Sequence, residues 1–429
     1  ERYRLLLLEC VECVLRIDGV HSARRLLQHT ASLGLPMDGK HRHMEQVLES
    51  IGKERAQMCY NFCTVVTPDY LCYALALHES LLAQCSEAVL HVLICPNGTE
   101  DRSAEYASES LRFYNSDDLC VGGIAKDLKD KYQGSYDDGF RWAMKSVFLS
   151  YLLTNEGCEK VFFADCDIFF FDEFAFLFEE LDDCAMIVSP HWKPYSEPGK
   201  DKTFIYEEFF YNGMFNAGFV GVSRRGLEHL DWWARACLFN CYKDISNGFF
   251  VDQSHLTVLQ AHFDGVKILK HRGCNVAHWN ELESPRVEQE DGSVSIMGKY
   301  PIVFCHFALL CPDRYITGAD KLLHAYFWKY VHCLKRHGLT RLRSLFTQFE
   351  AQLSALVWML GENHVDAVAL PGDDEEVRGY LASRGIAVNE AAGTVVGVCS
   401  KGMGGDEHRH LADEYDRCDV YILERELAV

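Results

Sequence analysis

No run of more than two consecutive lysines and arginines occurs in this sequence, and basic residues are outnumbered, 42 against 63 acidic ones, for a formal charge of −21. That balance excludes nucleic acid as an expected partner, because holding a phosphate backbone takes a basic face. An anionic ligand would have to be held by a metal ion or by local backbone donors. Also missing is any apolar run of the roughly 18 to 20 residues needed to span a bilayer. The N-terminal run Leu5 to Leu8 is bounded by Arg4 and Glu9 and is too short for a signal-peptide core. The chain opens on Glu1, so a native start upstream of it is expected. Internal repeats and low-complexity tracts are absent as well. Cys10 and Cys13 make a C-x-x-C with no second pair beside it, which speaks against a metal or redox role.

What is present is an ordinary globular composition, 48% hydrophobic over 429 residues, enough for a large core or for two to three domains. The 19 cysteines are odd in number and sit mostly inside apolar runs such as Leu93-Ile94-Cys95 and Phe304-Cys305, so they read as reduced, buried thiols. A cytoplasmic location is expected, peripheral to a membrane at most.

Residues 1–57 carry helical spacing (Leu5, Leu8, Val11, Val14; Leu26, Leu27; Met44, Val47, Leu48, Ile51) and are expected to form a helical module, packed on the next domain or offered to a protein partner. From Cys59 onward, short apolar runs alternate with helical segments. The runs Asn61 to Thr67, Val89 to Cys95, Val161 to Ala164, Ala185 to Val188, Phe219 to Val222, Val266 to Leu269 and Ile302 to Cys305 are continuous rather than alternating. Continuous runs suit a sheet covered on both faces. Helices are expected over Tyr70 to Leu82, Phe140 to Leu153, Leu227 to Leu238 and Asp252 to Ala261. The fold class is therefore α/β with a mostly parallel sheet, spanning residues 58–340. Residues 341–429 are expected to add a helical linker and a small β-α-β-α-β unit, whose Asp373 and Asp374 suit the start of a helix.

The chemistry centres on Val161-Phe162-Phe163-Ala164-Asp165-Cys166-Asp167, which ends an apolar strand on two carboxylates. Ligands bind at the carboxyl ends of strands in open parallel sheets, and residues flanking one strand position share a face. Two like charges so placed repel and resist desolvation; a divalent cation with hard oxygen ligands relieves both costs. Phosphoryl transfer to an aspartate and glycosyl transfer from a nucleotide-diphosphate sugar both use such a pair. Haloacid-dehalogenase-type phosphatases continue with Thr or Val two residues after the second Asp, where this chain has Phe169.

Further stretches follow in order: Asn216-Ala217-Gly218-Phe219, Asp252-Gln253, Asn275-Val276-Ala277-His278-Trp279-Asn280 and Phe304-Cys305-His306-Phe307. With the Asp165/Asp167 stretch they make the region from about 59 to 325 resemble metal-dependent glycosyltransferases of the A-type fold. The similarity is to bacterial polysaccharide-type transferases, and more distantly to glycogenin-like retaining enzymes.

The resemblance implies a nucleotide-sugar donor, UDP-linked, a saccharide or other hydroxyl acceptor, and Mn²⁺ or Mg²⁺ held by Asp165, Asp167 and His306. It places the base and sugar nucleotide on Thr64, Val65, Thr67, Tyr70, Lys145, Asp165, Ala217 and Gly218, and the reacting carbon near Asp252, Gln253 and Asn216. Asn275, Trp279 and Asn280 would line the acceptor side. Plainer readings stay open: Lys145 as a solvated surface lysine, Asp252 as a helix N-cap, His306 as a core histidine and Trp279 as packing. The chain departs from the pattern at His278, where the family has Tyr, at Glu281, where it has Leu, and after His306, where a Ser-Gly loop is missing. An inverting reaction needs a carboxylate base, for which Asp252 is the candidate; resemblance to its relatives points to retention. The alternatives are a phosphohydrolase with Asp165 as nucleophile, which needs a lysine and a further acidic pair nearby, and a catalytically silent binding protein.

Overall fold

The computed structural model describes residues 60–134, 139–193, 212–244, 247–290, 292–308, 315, 320–339, 341–343, 353, 356–357, 360, 365–370, 374–389, 394–400 and 419–425. The helical module expected over 1–57, with Cys10 and Cys13, lies outside them, as do Asp373 and the helix expected over His408 to Tyr415. Two compact units divide the chain: Glu1–Cys166 with Phe170–His271, and Asp167–Phe169 with Arg272–Val429.

The first unit is built on a seven-stranded sheet of β1 (Tyr60–Val66), β2 (Ala88–Ile94), β3 (Leu111–Asn115), β4 (Lys160–Ala164), β6 (Met186–Pro190), β7 (Phe215–Ser223) and β10 (Val266–Ile268). Between these in the chain fall β5 (Ile168–Phe170), β8 (Lys243–Asp244) and β9 (Phe249–Phe250). The sheet order is β10-β6-β7-β4-β1-β2-β3. β1 pairs in parallel with β2 and β4, β2 with β3, and β10 with β6, whereas β7 runs antiparallel to both β4 and β6. The sheet is thus mixed and mostly parallel, in line with the α/β expectation. Every residue of β2 and β7 is buried, which is what a central strand covered on both faces looks like in sequence.

Helices α1 (Leu71–Gln84), α2 (Gly123–Tyr132), α3 (Gly139–Thr154), α4 (Leu227–Phe239) and α5 (Ser254–His262) cover this sheet within the unit. The phenylalanine-rich stretch divides between the two faces. Phe163 joins Val65, Met144, Phe148 and Trp233 in the core on one side. Phe162 stacks on Phe219 across the strands, 5.1 Å between centroids, and sits edge-on to Phe178 at 4.9 Å on the other. Gly221 is what that stack demands: a Cβ there would stand 2.3 Å from the Phe162 ring. Cys63, Cys95, Cys120 and Cys305 are buried.

In the second unit β11 (Arg286–Glu288), β12 (Val294–Ile296) and β13 (Tyr300–Pro301) form an antiparallel sheet, and β14 (Phe304–His306) pairs with β5. The strand expected over Ile302 to Cys305 is therefore β14, which starts two residues later, ends one residue later and lies outside the seven-stranded sheet. Helix α6 (His324–Arg336) follows. β15 (Arg341–Arg343), β18 (Thr394–Ser400) and β19 (Asp419–Arg425) form a parallel sheet, and β16 (Ala367–Val368) pairs with β17 (Ala387–Val388). Helix α7 (Glu375–Ser383) is capped by Asp374, whose carboxylate accepts from the Val377 amide at 3.1 Å, so this acid serves the helix as its position suggested.

Candidate functional site

The chain lays β2 and β3 on one side of β1 and then returns to its other side with β4, so the order of the sheet reverses between β1 and β4. The carboxyl edge at such a reversal is where open α/β sheets bind ligands. Asp165 stands there, immediately past β4, its amide donating to the Gly218 carbonyl at 2.7 Å. Because β7 is antiparallel, its first residues fall at the same edge: Ala164 lies opposite Phe219, and Ser189 of β6 opposite Asn216.

Helix α3 delivers Lys145. Its ammonium lies 3.1 Å from Asp165 and 3.4 Å from Asp252, donates to the Ala217 carbonyl at 3.2 Å, and stands 4.8 Å from the Phe163 ring centroid. At 4% exposure it is no surface lysine. Burial alone would pull this ammonium below its ordinary pKa; the Asp165 and Asp252 carboxylates outweigh it and hold the group above.

Asp252 is 1% exposed and does not cap a helix, since α5 begins at Ser254 with no side-chain cap bond. Burial pushes its carboxyl up to about 6, Lys145 pulling the other way. Trp233 donates to its carbonyl at 2.9 Å, and Val251 just before it has φ 47°, a left-handed conformation that a β-branched residue adopts only under constraint.

Gln253 is turned inward. Its Oε1 accepts from Asn216 Nδ2 and the Ala217 amide, both at 3.2 Å, and its Nε2 donates to the Asn212 carbonyl at 2.6 Å. Asn216 Oδ1 accepts from the Gly218 amide at 3.1 Å. His191, which no sequence pattern marked, completes the network: Nδ1 is 3.0 Å from the Gly213 carbonyl and Nε2 3.4 Å from Asn216 Nδ2. Seven nominated residues, Lys145, Asp165, Asn216, Ala217, Gly218, Asp252 and Gln253, are joined by direct bonds in one unit.

The residues nominated on β1 divide. Thr64 and Val65 are buried within the strand, Val65 in the core cluster. Thr67 follows the strand end and accepts the Tyr70 amide at 2.9 Å. Tyr70 is 40% exposed, its ring 5.2 Å from that of Tyr73 and 5.5 Å from the Arg141 guanidinium, another group the sequence did not single out.

In the second unit His306, buried in β14, places Nε2 3.0 Å from Asp167 Oδ1 and Nδ1 3.1 Å from Asn275 Oδ1. The Phe307 amide donates to the Asp167 carbonyl at 2.9 Å, and the Trp279 ring meets that of His306 edge-on at 5.1 Å. Asn280 is structural: its Nδ2 donates to the Asn275 carbonyl at 2.8 Å and its Oδ1 accepts from the Ala277 amide at 3.2 Å. A carboxylate and an imidazole this close form a mixed donor set: the carboxylate oxygen suits hard cations such as Mg²⁺ or Mn²⁺, and the imidazole nitrogen suits transition metals rather than Mg²⁺.

No protein-family model matches the chain. It is 26% identical over 257 residues to the uncharacterised Bacillus subtilis (strain 168) protein YfnF, covering 58% of this chain and 80% of that one. Among solved structures it is similar to the galactosyltransferase LgtC in complex with donor and acceptor sugar analogues, at 16% identity and TM-score 0.42 over 64% of this chain and 95% of that one. It is also similar to the glycosyltransferase GlyE of Streptococcus pneumoniae TIGR4, at 14% identity and TM-score 0.39 over 87% of this chain and 81% of that one.

Proposed function

We propose that this chain is a divalent-metal-dependent glycosyltransferase, moving a sugar from a nucleotide-diphosphate donor, UDP-linked, to a hydroxyl of a saccharide acceptor. One observation carries the reading: residues from separate stretches of sequence, Lys145, Asp165, Asn216 to Gly218 and Asp252-Gln253, are bonded to one another at the carboxyl edge where the sheet order reverses. Asp165, Asp167 and His306 are the ligands assigned to the cation. His306 supports its share, since with Nδ1 turned to the Asn275 amide oxygen, Nε2 faces the Asp167 carboxylate as one acceptor facing another, and a proton or a cation has to stand between them. When bound, such an ion neutralises charge developing on a diphosphate leaving group.

The chain's own groups then have distinct tasks. Lys145 supplies fixed positive charge beside Asp165 and keeps two carboxylates together in a buried site. Gln253 and His191 hold the Asn216 side chain, and Asn216 holds the backbone of Gly218, leaving a small-residue edge against which a sugar can lie closely. Lys145 beside Asp165 also meets one requirement of a phosphohydrolase, but that reading gives the Asn216 to Gly218 network and Gln253 no task.

Thermal unfolding in the presence of nucleotides and nucleotide sugars, with Mn²⁺ or EDTA, tests the proposal. A ligand at 100 times its Kd stabilises the fold by about 2.7 kcal/mol. A metal-dependent rise in midpoint with one nucleotide diphosphate, lost in Asp165→Ala/Asp167→Ala, is the expected result. A folded protein that shifts with none of them, or that releases phosphate from simple phosphoesters, overturns it.

A further inference from the structure

We infer that Asn275 is the positioning residue that fixes the ring of His306 as a metal ligand, an inference that rests on the reading of His306 as one of the cation's ligands. Asn275 is 1% exposed and holds φ 56°, a left-handed conformation that asparagine tolerates better than most residues. Val276 beside it bridges in parallel to Cys305, its amide donating to the Phe304 carbonyl at 3.1 Å and its carbonyl accepting the His306 amide at 2.8 Å. This registers Asn275 against β14 and puts its amide oxygen 3.1 Å from His306 Nδ1. An amide oxygen only accepts, so Nδ1 carries the proton and Nε2 presents its lone pair to the Asp167 side.

The position of Asn275 is itself secured. Asn280 donates to its carbonyl at 2.8 Å. Arg286 then ties the loop that follows, donating to the carbonyls of Ala277 at 2.8 Å and Ser284 at 2.6 Å while it forms a two-pronged pair with Asp320 at 2.7 and 2.8 Å. Arg286 and Asp320 side chains are 4% and 1% exposed. A fully buried ion pair adds little net stability; here the bonds of Arg286 to the Ala277 and Ser284 carbonyls are what hold the loop in one arrangement. The chain of contacts from Asp320 through Arg286, Ala277, Asn280 and Asn275 to His306 therefore preorganises one ring nitrogen, and no member except His306 need touch the ion.

The test is the affinity of the full chain for Mn²⁺ alone, by isothermal titration calorimetry, with the thermal midpoint of each variant as a check on folding. Asn275→Gly keeps the left-handed backbone and deletes the acceptor; Asn275→Asp keeps both. Loss of an outer-shell partner of this kind weakens metal binding roughly 10- to 100-fold. The expected result is that loss in Asn275→Gly and an affinity equal to or tighter than the parent's in Asn275→Asp. Parent-like affinity in Asn275→Gly, or an equal loss in both variants, overturns the inference while leaving the metal site standing. A parent protein that binds no Mn²⁺, with His306→Ala indistinguishable from it, overturns the metal reading itself.

Discussion

Lys145 is one cation set between two carboxylates in a place from which water is excluded. Removing one partner of a buried charge cluster typically costs 3 to 5 kcal/mol, because the remaining charge is left uncompensated. Lys145→Met is expected to lower stability by about that much, and Lys145→Met/Asp252→Asn to recover most of it, since the buried carboxylate is then neutral. Urea denaturation of the parent, single and double variants checks this; a double variant no more stable than the single one would show that Lys145 matters through packing instead. At this scale the sequence was unevenly legible. Asp165 and Asp167 stood out because two charges at the end of an apolar strand need a reason. Lys145 was nominated only through the family resemblance, with a solvated lysine left open beside it, because burial of a helix position depends on what packs against it, and nothing nearby in the chain records Phe163 or Asp252. His191 gave no signal, its bonded partner Asn216 lying 25 residues away.

β2 shows what a single polar residue does inside a buried strand. His91 is fully buried and links three strands, its Nε2 3.1 Å from Asn61 of β1 and its Nδ1 3.0 Å from the Tyr114 hydroxyl of β3. Burial, with a smaller contribution from Arg112, pulls the imidazole down to about 4. The folded state therefore binds the proton less readily than the unfolded chain, whose histidine titrates near 6.5. The stability His91 contributes is whole above about pH 6.5 and is lost as pH falls towards 4, on the order of 3 kcal/mol across that window. Asp252, raised to about 6, has the opposite sign and gains stability as pH falls through the same range. The difference between the parent and His91→Gln isolates the first effect: urea midpoints from pH 7 to 4 should fall less steeply in the variant, and parallel curves would refute it. Strands covered on both faces, such as β1, β2 and β4, were readable as apolar runs. β3 was not, because at the edge of the sheet only Leu111 of its five residues is buried. The reversal of β7 was also hidden, since hydrophobicity is the same for either strand direction.

Over the whole chain the charge of −21 opposes any anionic ligand at long range. Between about 10 mM and 150 mM salt the Debye length falls from about 30 Å to about 8 Å, so nucleotide-diphosphate affinity measured without metal is expected to tighten with added salt. Titration at the two ionic strengths decides it; weakening would reveal a basic surface that composition conceals. The reversed strand has a consequence for how the molecule comes into being. β4 can pair with β1 as soon as both have been synthesised, but its other edge waits for β7, and residues 165–214 must leave the ribosome first. During that interval the nascent chain carries Val161, Phe162 and Phe163 on an open edge, the moment at which mispairing with another chain is easiest and at which a chaperone would have most to do.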